Sequence, residues 1–154
     1  MPGDWLREQF SLEGRVAIVT GGGGALGGAM ARGLAQAGAR LVLVGRRQSP
    51  LDDCAAAIIS NDGEAISLPA DVHDRPQLEH VRDATLAKWG RIDILVNAAG
   101  GNVPGATLAP GSAIFDLPIE AFREVIDLNL LGTILPSQIF GTAMAAAGSG
   151  SIVN

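Results

Sequence analysis

The sequence predicts an α/β fold with a doubly wound parallel sheet. Three observations carry this. Short apolar runs of strand length alternate with longer segments of helical period. The first run, Val16 to Val19, passes directly into four glycines and a small-residue helix. The runs themselves are continuously apolar, as strands are when helices cover both faces of a sheet.

Taken in order, Met1 to Leu12 is a mixed leader in which Trp5 and Phe10 are expected to pack onto the domain. Val16 to Val19 is the first strand. In the helix that follows the glycines, Leu26, Met30, Leu34 and Ala37 recur at helical spacing. Gly28, Ala29 and Gly33 are small enough to let this helix lie close on a sheet. Gly38 stands in the expected C-terminal position. Leu41 to Val44 is the second strand, Pro50 to Ile59 a helix, and Asn61-Asp62-Gly63 a turn. Ala65 to Leu68 is a third strand; Arg75 to Trp89 is a helix with Leu78, Val81, Ala84 or Thr85, and Trp89 on one face. Ile92 to Val96 is the fourth strand. Residues 98–117 have no sustained period and are rich in glycine, a loop longer than compact domains usually carry without a functional reason. Asp116 and Pro118 give a helix start, and Pro136 should kink the run that extends towards Ala147. Ser151 to Asn154 opens a fifth strand. One dinucleotide-binding domain over 1–154, cut short after the start of that strand, is the expectation.

Composition narrows the function. A formal charge of −5, from 11 Lys and Arg against 16 Asp and Glu, argues against a nucleic-acid partner, because neutralising phosphates requires clustered cations. No apolar run approaches the length that spans a bilayer, and the acidic leader does not resemble a secretory signal. A cytoplasmic protein is therefore expected. Cys54 is the single cysteine and reads as a small buried hydrophobe. His73 and His80 lie seven residues apart without cysteine neighbours, so no metal site is expected.

The segment Val16 to Gly28, VAIVTGGGGALGG, reads as strand, phosphate-cradling turn and helix N-terminus. Backbone N–H groups at a helix start attract phosphate, and residues without Cβ let it approach. A S-adenosylmethionine domain can begin in the same way, so the turn does not choose its ligand. Gly45 and Arg46 close the second strand, where a NAD site usually carries an acid for the ribose 2′-OH. The acid is missing and a guanidinium follows, which matches a 2′-phosphate bidentately and favours NADP(H), with NAD(H) possible. The alternative is that Arg46 and Arg47 are a solvated surface pair.

TGGGGALG at 20–27, ADV at 70–72, NAAG at 97–100 and DLNLLGT at 127–133 together resemble the short-chain dehydrogenases/reductases, in the family's order and approximate spacing. The resemblance runs from about Phe10 to the last residue and implies a Rossmann-type sheet. It implies a cofactor turn at Thr20, Gly21, Gly24, Ala25, Leu26 and Gly27. It further implies adenine contact from Asp71 and Val72, and a ribose-side wall from Asn97, Ala98, Ala99 and Gly100. Asn129 matches the family's catalytic asparagine, a water-holding group in a proton relay; a satisfied polar group in a buried helix is the other reading.

Ala25 departs from the family's middle glycine, so that Gly24 has to provide the close approach, and Ala98 replaces the commoner second asparagine. The family's catalytic serine, tyrosine and lysine have no counterpart, and the chain contains no tyrosine. The resemblance thus implies an oxidoreductase moving hydride between nicotinamide and a small-molecule alcohol or ketone. The complete protein is expected to be a homo-oligomer, and the 154 residues alone are expected to be inactive. NAAGGNVPGAT and DLNLLGTILPSQ look like the D-mannonate oxidoreductase or fructuronate reductase branch, which implies a sugar acid or related polyol.

Overall fold

Each strand of the sheet is apolar at successive positions because alternate side chains enter two different cores. In β1 (Val16–Thr20) and β2 (Arg40–Gly45), Val16, Ile18, Val42 and Val44 point to one face, where α3 (Arg75–Trp89) supplies Leu78 and Val81. Ala17, Val19, Leu41 and Leu43 point to the other, against Ala31 of α1 (Ala25–Gln36) and Leu51, Cys54 and Ile58 of α2 (Gln48–Ile59). Period-two geometry with both faces covered yields the unbroken apolar runs seen in the sequence.

The computed structural model describes residues 9–154. Its five strands are parallel and ordered β3-β2-β1-β4-β5, with β3 at Ala65–Pro69, β4 at Ile94–Asn97 and β5 at Ser151–Val153. Strand order reverses between β1 and β4, the point at which open α/β sheets form a crevice beyond their carboxyl ends. This is the expected doubly wound, Rossmann-like arrangement. Trp5 lies outside the described residues, and Phe10 is exposed rather than packed down.

The helix after the glycines forms, but not on the expected face. Gly27, Gly28 and Ala31 are buried, whereas Leu26 and Met30 are 73% and 45% exposed, and Ala29 and Gly33 also face outward. Close approach is the reason. A Cβ on Gly27 would lie 2.3 Å from the carbonyl oxygen of Gly21, so the contact excludes side chains and turns Leu26 and Met30 out, while Leu34 further along packs on the core.

α3 has the predicted limits. The Asp74 carboxylate accepts the Gln77 N–H at 3.0 Å, and Gly90 closes the helix with φ +72°. β4 begins at Ile94 instead of Ile92, although the Asp93 backbone still donates to the Val16 carbonyl and accepts the Ser151 N–H, both at 2.9 Å; the Asp93 side chain forms a buried staple at the opposite end of the sheet. Its carboxylate accepts from Arg15 (2.9 Å), Arg91 (2.5 and 2.7 Å) and the Val16 N–H (2.9 Å). Burial opposes the charge, but the bonds from Arg91, Val16 and Arg15 prevail and hold the carboxyl down at about 2.

Beyond the long loop, α4 (Ile119–Ile126) continues through a π-helical segment, Asp127–Leu131, into α5 (Gly132–Ala147). Asp116 does not start α4; its carboxylate accepts the Ala113 N–H and closes the short turn before it. The irregularity expected at Pro136 lies earlier. Pro136 is buried within α5, and the widened turn precedes Gly132, whose carbonyl a proline four residues on would otherwise crowd. The run Ile119–Ala147 is, by length and composition, apolar enough to cross a membrane, which corrects the expectation from sequence. In the structure Ile139, Phe140 and Met144 of this run pack into the core shared with α3.

Candidate functional site: the cleft at the strand-order switch

A cleft of about 530 Å³ opens beyond the carboxyl ends of β1, β2 and β4. Its walls bring together many of the residues expected to bind a cofactor: Gly21, Gly24, Arg46, Asp71, Val72, Ala98, Ala99 and Gly100. Arg47, His73 and Leu128 also line it. Thr20, Ala25, Leu26, Gly27, Asn97 and Asn129 lie outside this wall.

The glycines divide by task. Gly21 has φ +66°, and a Cβ on it would sit 2.5 Å from the carbonyl oxygen of Ala98, so β1's turn and the loop after β4 meet backbone to backbone. Gly27 is equally obligatory for the seat of α1 on that turn. Gly24 is the helix N-cap and has no side chain to bond the first-turn N–H groups. Those groups have no intrahelical acceptor, which leaves donors at the mouth of the cleft for an anion. Ala25 is the first helical residue and Leu26 projects outward.

Thr20 is fully buried, and its hydroxyl ties the two halves of the rim together. It accepts the N–H groups of Ala98 and Ala99, both at 3.1 Å, and donates to the Val96 carbonyl. The structure thus gives it a role in positioning the wall behind the cleft. Asn97 donates to Ser137 (2.9 Å) and Asn154 (2.8 Å), joining β4 to α5 and to the residue after β5. Its Oδ1 is buried without a partner.

Asn129 sits in the π-helical segment and grips the loop that leaves β4. Its Oδ1 accepts the Gly101 N–H at 3.0 Å, and its Nδ2 donates to the carbonyls of Gly101 and Val125, both at 2.8 Å. A Cβ on Gly100 would lie 2.6 Å from that Oδ1, which explains glycine there.

At the other end of the cleft, Arg46 and Arg47 lie beside Asp71. The backbone N–H of His73 donates to Asp71 and holds its carboxyl below the usual range, against partial burial and with help from the His73 ring and Arg46. The His73 ring reaches the Asp127 carbonyl at 2.9 Å and Asp71 Oδ1 at 3.0 Å. The bond to Asp127 is the larger cause of an imidazole pKa raised above its ordinary value. Sequence reasoning weighed His73 only as a metal ligand beside His80; its place directly after Asp71-Val72 was the available signal. Among the described residues no group of three or more His, Cys, Asp or Glu side chains is assembled.

The description of this family's model is short chain dehydrogenase, and it matches residues 15–154. The chain belongs to the short-chain dehydrogenase family. An uncharacterized oxidoreductase, UxuB, of Bacillus subtilis is 35% identical over 152 residues, covering 94% of this chain and 55% of that protein. A Haemophilus influenza protein described as a D-mannonate oxidoreductase, solved with bound NAD, superposes with TM-score 0.81 and 31% identity. The match covers 90% of this chain and 53% of that one. A metagenomic short-chain oxidoreductase in complex with NADP gives TM-score 0.78 and 33% identity, over 92% of this chain and 61% of that one. The chain therefore spans about half the length of the curated relatives it matches.

Proposed function

We propose that this chain is the cofactor-binding part of an NAD(P)-dependent alcohol/ketone oxidoreductase, with NADP(H) favoured and NAD(H) as the alternative cofactor. The single observation that carries the reading is the cleft at the strand-order switch. There the uncapped α1 N-terminus, Arg46 and Asp71 converge while the end of β2 carries no acid. The fit is physical: the Gly21 and Gly24 wall admits a phosphate to backbone N–H groups, and Arg46 offers a guanidinium for a 2′-phosphate. Asp71 would accept the adenine amino group beside Val72, and Ala98 to Gly100 would bound the ribose side.

When bound, the nicotinamide supplies the hydride chemistry. The chain's own part is to hold and orient the nucleotide, with Asn129 placing the loop after β4 and, by family analogy, a water of the proton relay. A sugar acid or polyol is the proposed substrate class of the whole protein, in keeping with the D-mannonate oxidoreductase likeness. The 154 residues contain no tyrosine, so they lack the phenol that serves the family as acid and base. No turnover is expected from them.

The test is a thermal shift with NADPH, NADH and S-adenosylmethionine. Ligand that binds only the native state raises the melting temperature by mass action, so NADPH should raise it and S-adenosylmethionine should not. Arg46→Gln should weaken NADPH about tenfold and leave NADH nearly unchanged, the loss of one bidentate charge-assisted contact. Stabilisation by S-adenosylmethionine, or by none of the three, overturns the reading.

A second reading is an inactive dinucleotide-binding subunit that works against another chain or a second copy. The observation favouring it is the exposed apolar set Phe115, Phe122 and Ile126 together with β5, where Ile152 and Val153 face solvent. A monomer by light scattering that melts cooperatively counts against it.

A further inference from the structure

Both partners of the His73 ring are acceptors only. Nδ1 faces the Asp71 carboxylate at 3.0 Å, and Nε2 faces the backbone carbonyl of Asp127 at 2.9 Å. A neutral imidazole carries one N–H, so either tautomer would set a lone pair against an oxygen at one end; the imidazolium donates at both. We infer that His73 is a positioning residue that, as a cation, clamps Asp71 to the π-helical segment carrying Asn129 and so fixes the adenine end of the cleft. This rests on the dinucleotide reading above.

The surroundings are built for the clamp. Gly132 starts α5 where a Cβ would come within 2.9 Å of the Val72 side chain and 3.6 Å of His73 Nε2, so the helix makes room for the ring. Asp71 is fixed from its own side as well, its N–H donating to Gln77 Oε1 at 2.9 Å. The His73 N–H and ring both bond Asp71 Oδ1, which leaves Oδ2 outside the clamp for an incoming amino group. The charged groups around the ring are Asp71 on its own turn and Asp127 on the π-helical segment, with Arg46 at the end of β2 acting on Asp71. Asp74 is turned towards Gln77, and Arg75 towards Gln138 and Glu79. Partners that favour the charged ring agree with the upward direction of its pKa.

The sign follows. A histidine whose folded pKa is raised contributes stability fully below its unfolded pKa, and the contribution is lost as pH rises through the folded value. The adenine end should therefore loosen towards alkaline pH.

Nitrogen-15 NMR of the imidazoles tests the clamp without any variant. The chain has two histidines, so His73→Gln assigns them. His73 should keep both ring nitrogens protonated to a pH above the ordinary histidine value, as two donors facing two acceptors require. With NADPH as probe between pH 6.5 and 9, affinity should fall more steeply in the wild type than in His73→Gln. The two should differ by about threefold to tenfold at the acid end and converge at the alkaline end; subtracting the variant removes the nucleotide's own titration. A His73 that titrates at or below the ordinary histidine value, or identical pH profiles in the two proteins, overturns the clamp. A protonated, high-titrating His73 in a protein that binds neither NADPH nor NADH upholds the clamp and sinks the dinucleotide reading instead.

Discussion

Replacing Asp93 by asparagine keeps the shape of the staple under the sheet and removes its charge. The carboxylate is 8% exposed and gathers Arg15, Arg91 and the first N–H of β1. A carboxyl moved from 3.8 to about 2 corresponds to ~2.4 kcal/mol at pH 7 by linkage; the guanidiniums stand half in solvent, so about 2 kcal/mol is the working figure. Because the folded pKa is depressed, this stability is present above the unfolded value. It drains away as pH falls through the folded one. Asp93→Asn should therefore lower the urea-unfolding free energy by about 2 kcal/mol at pH 7 and by roughly half that at pH 3, with the m-value unchanged. Equal stability of the two proteins at pH 7, or a gap that widens on acidification, would refute the assignment.

Three other substitutions probe the rim of the cleft. Gly21→Ala places a Cβ at positive φ and against the Ala98 carbonyl; a loss of about 2–4 kcal/mol in chemical denaturation is expected, with weaker nucleotide binding. Thr20→Val keeps the volume but strands the Ala99 N–H and leaves the Ala98 N–H only its bond to the Val96 carbonyl. About 2 kcal/mol should be lost, and amide exchange at those two positions should quicken. Asn129→Ala frees Gly101 from both of its bonds to that side chain; about 1–2 kcal/mol is expected to go. Proteolysis should then favour the loop at 98–117.

Periodicity carried most of the fold. Strands buried on both faces leave uninterrupted apolar runs, and Val16 to Val19 and Leu41 to Val44 are such runs. The limits of α3 were legible because Asp74, Pro76 and Gly90 each act locally. The face of α1 was not. Spacing places Leu26 and Met30 on one stripe, but the seat of the helix is decided by distance to the Gly21 carbonyl, a tertiary quantity without a local signature. The cleft was legible from the glycine turn, Arg46 and Asp71, each at the carboxyl end of a strand. His73 was passed over because its two partners are 2 and 54 residues away in sequence, and one of them is a backbone carbonyl.

α1 holds to the sheet through what its inner face lacks. For ordinary core helices, trimming a large side chain weakens the fold and adding a methyl group is the lesser offence. Here the ranking reverses: Met30 can shrink at small cost, while one methyl at Gly27 would lever the helix off its turn. From Leu26 to Met30, tolerance to substitution should thus run opposite to hydrophobicity, whereas Leu34 further along packs on the core; a surface read by bulk alone would mistake the outer side of this first part for its root.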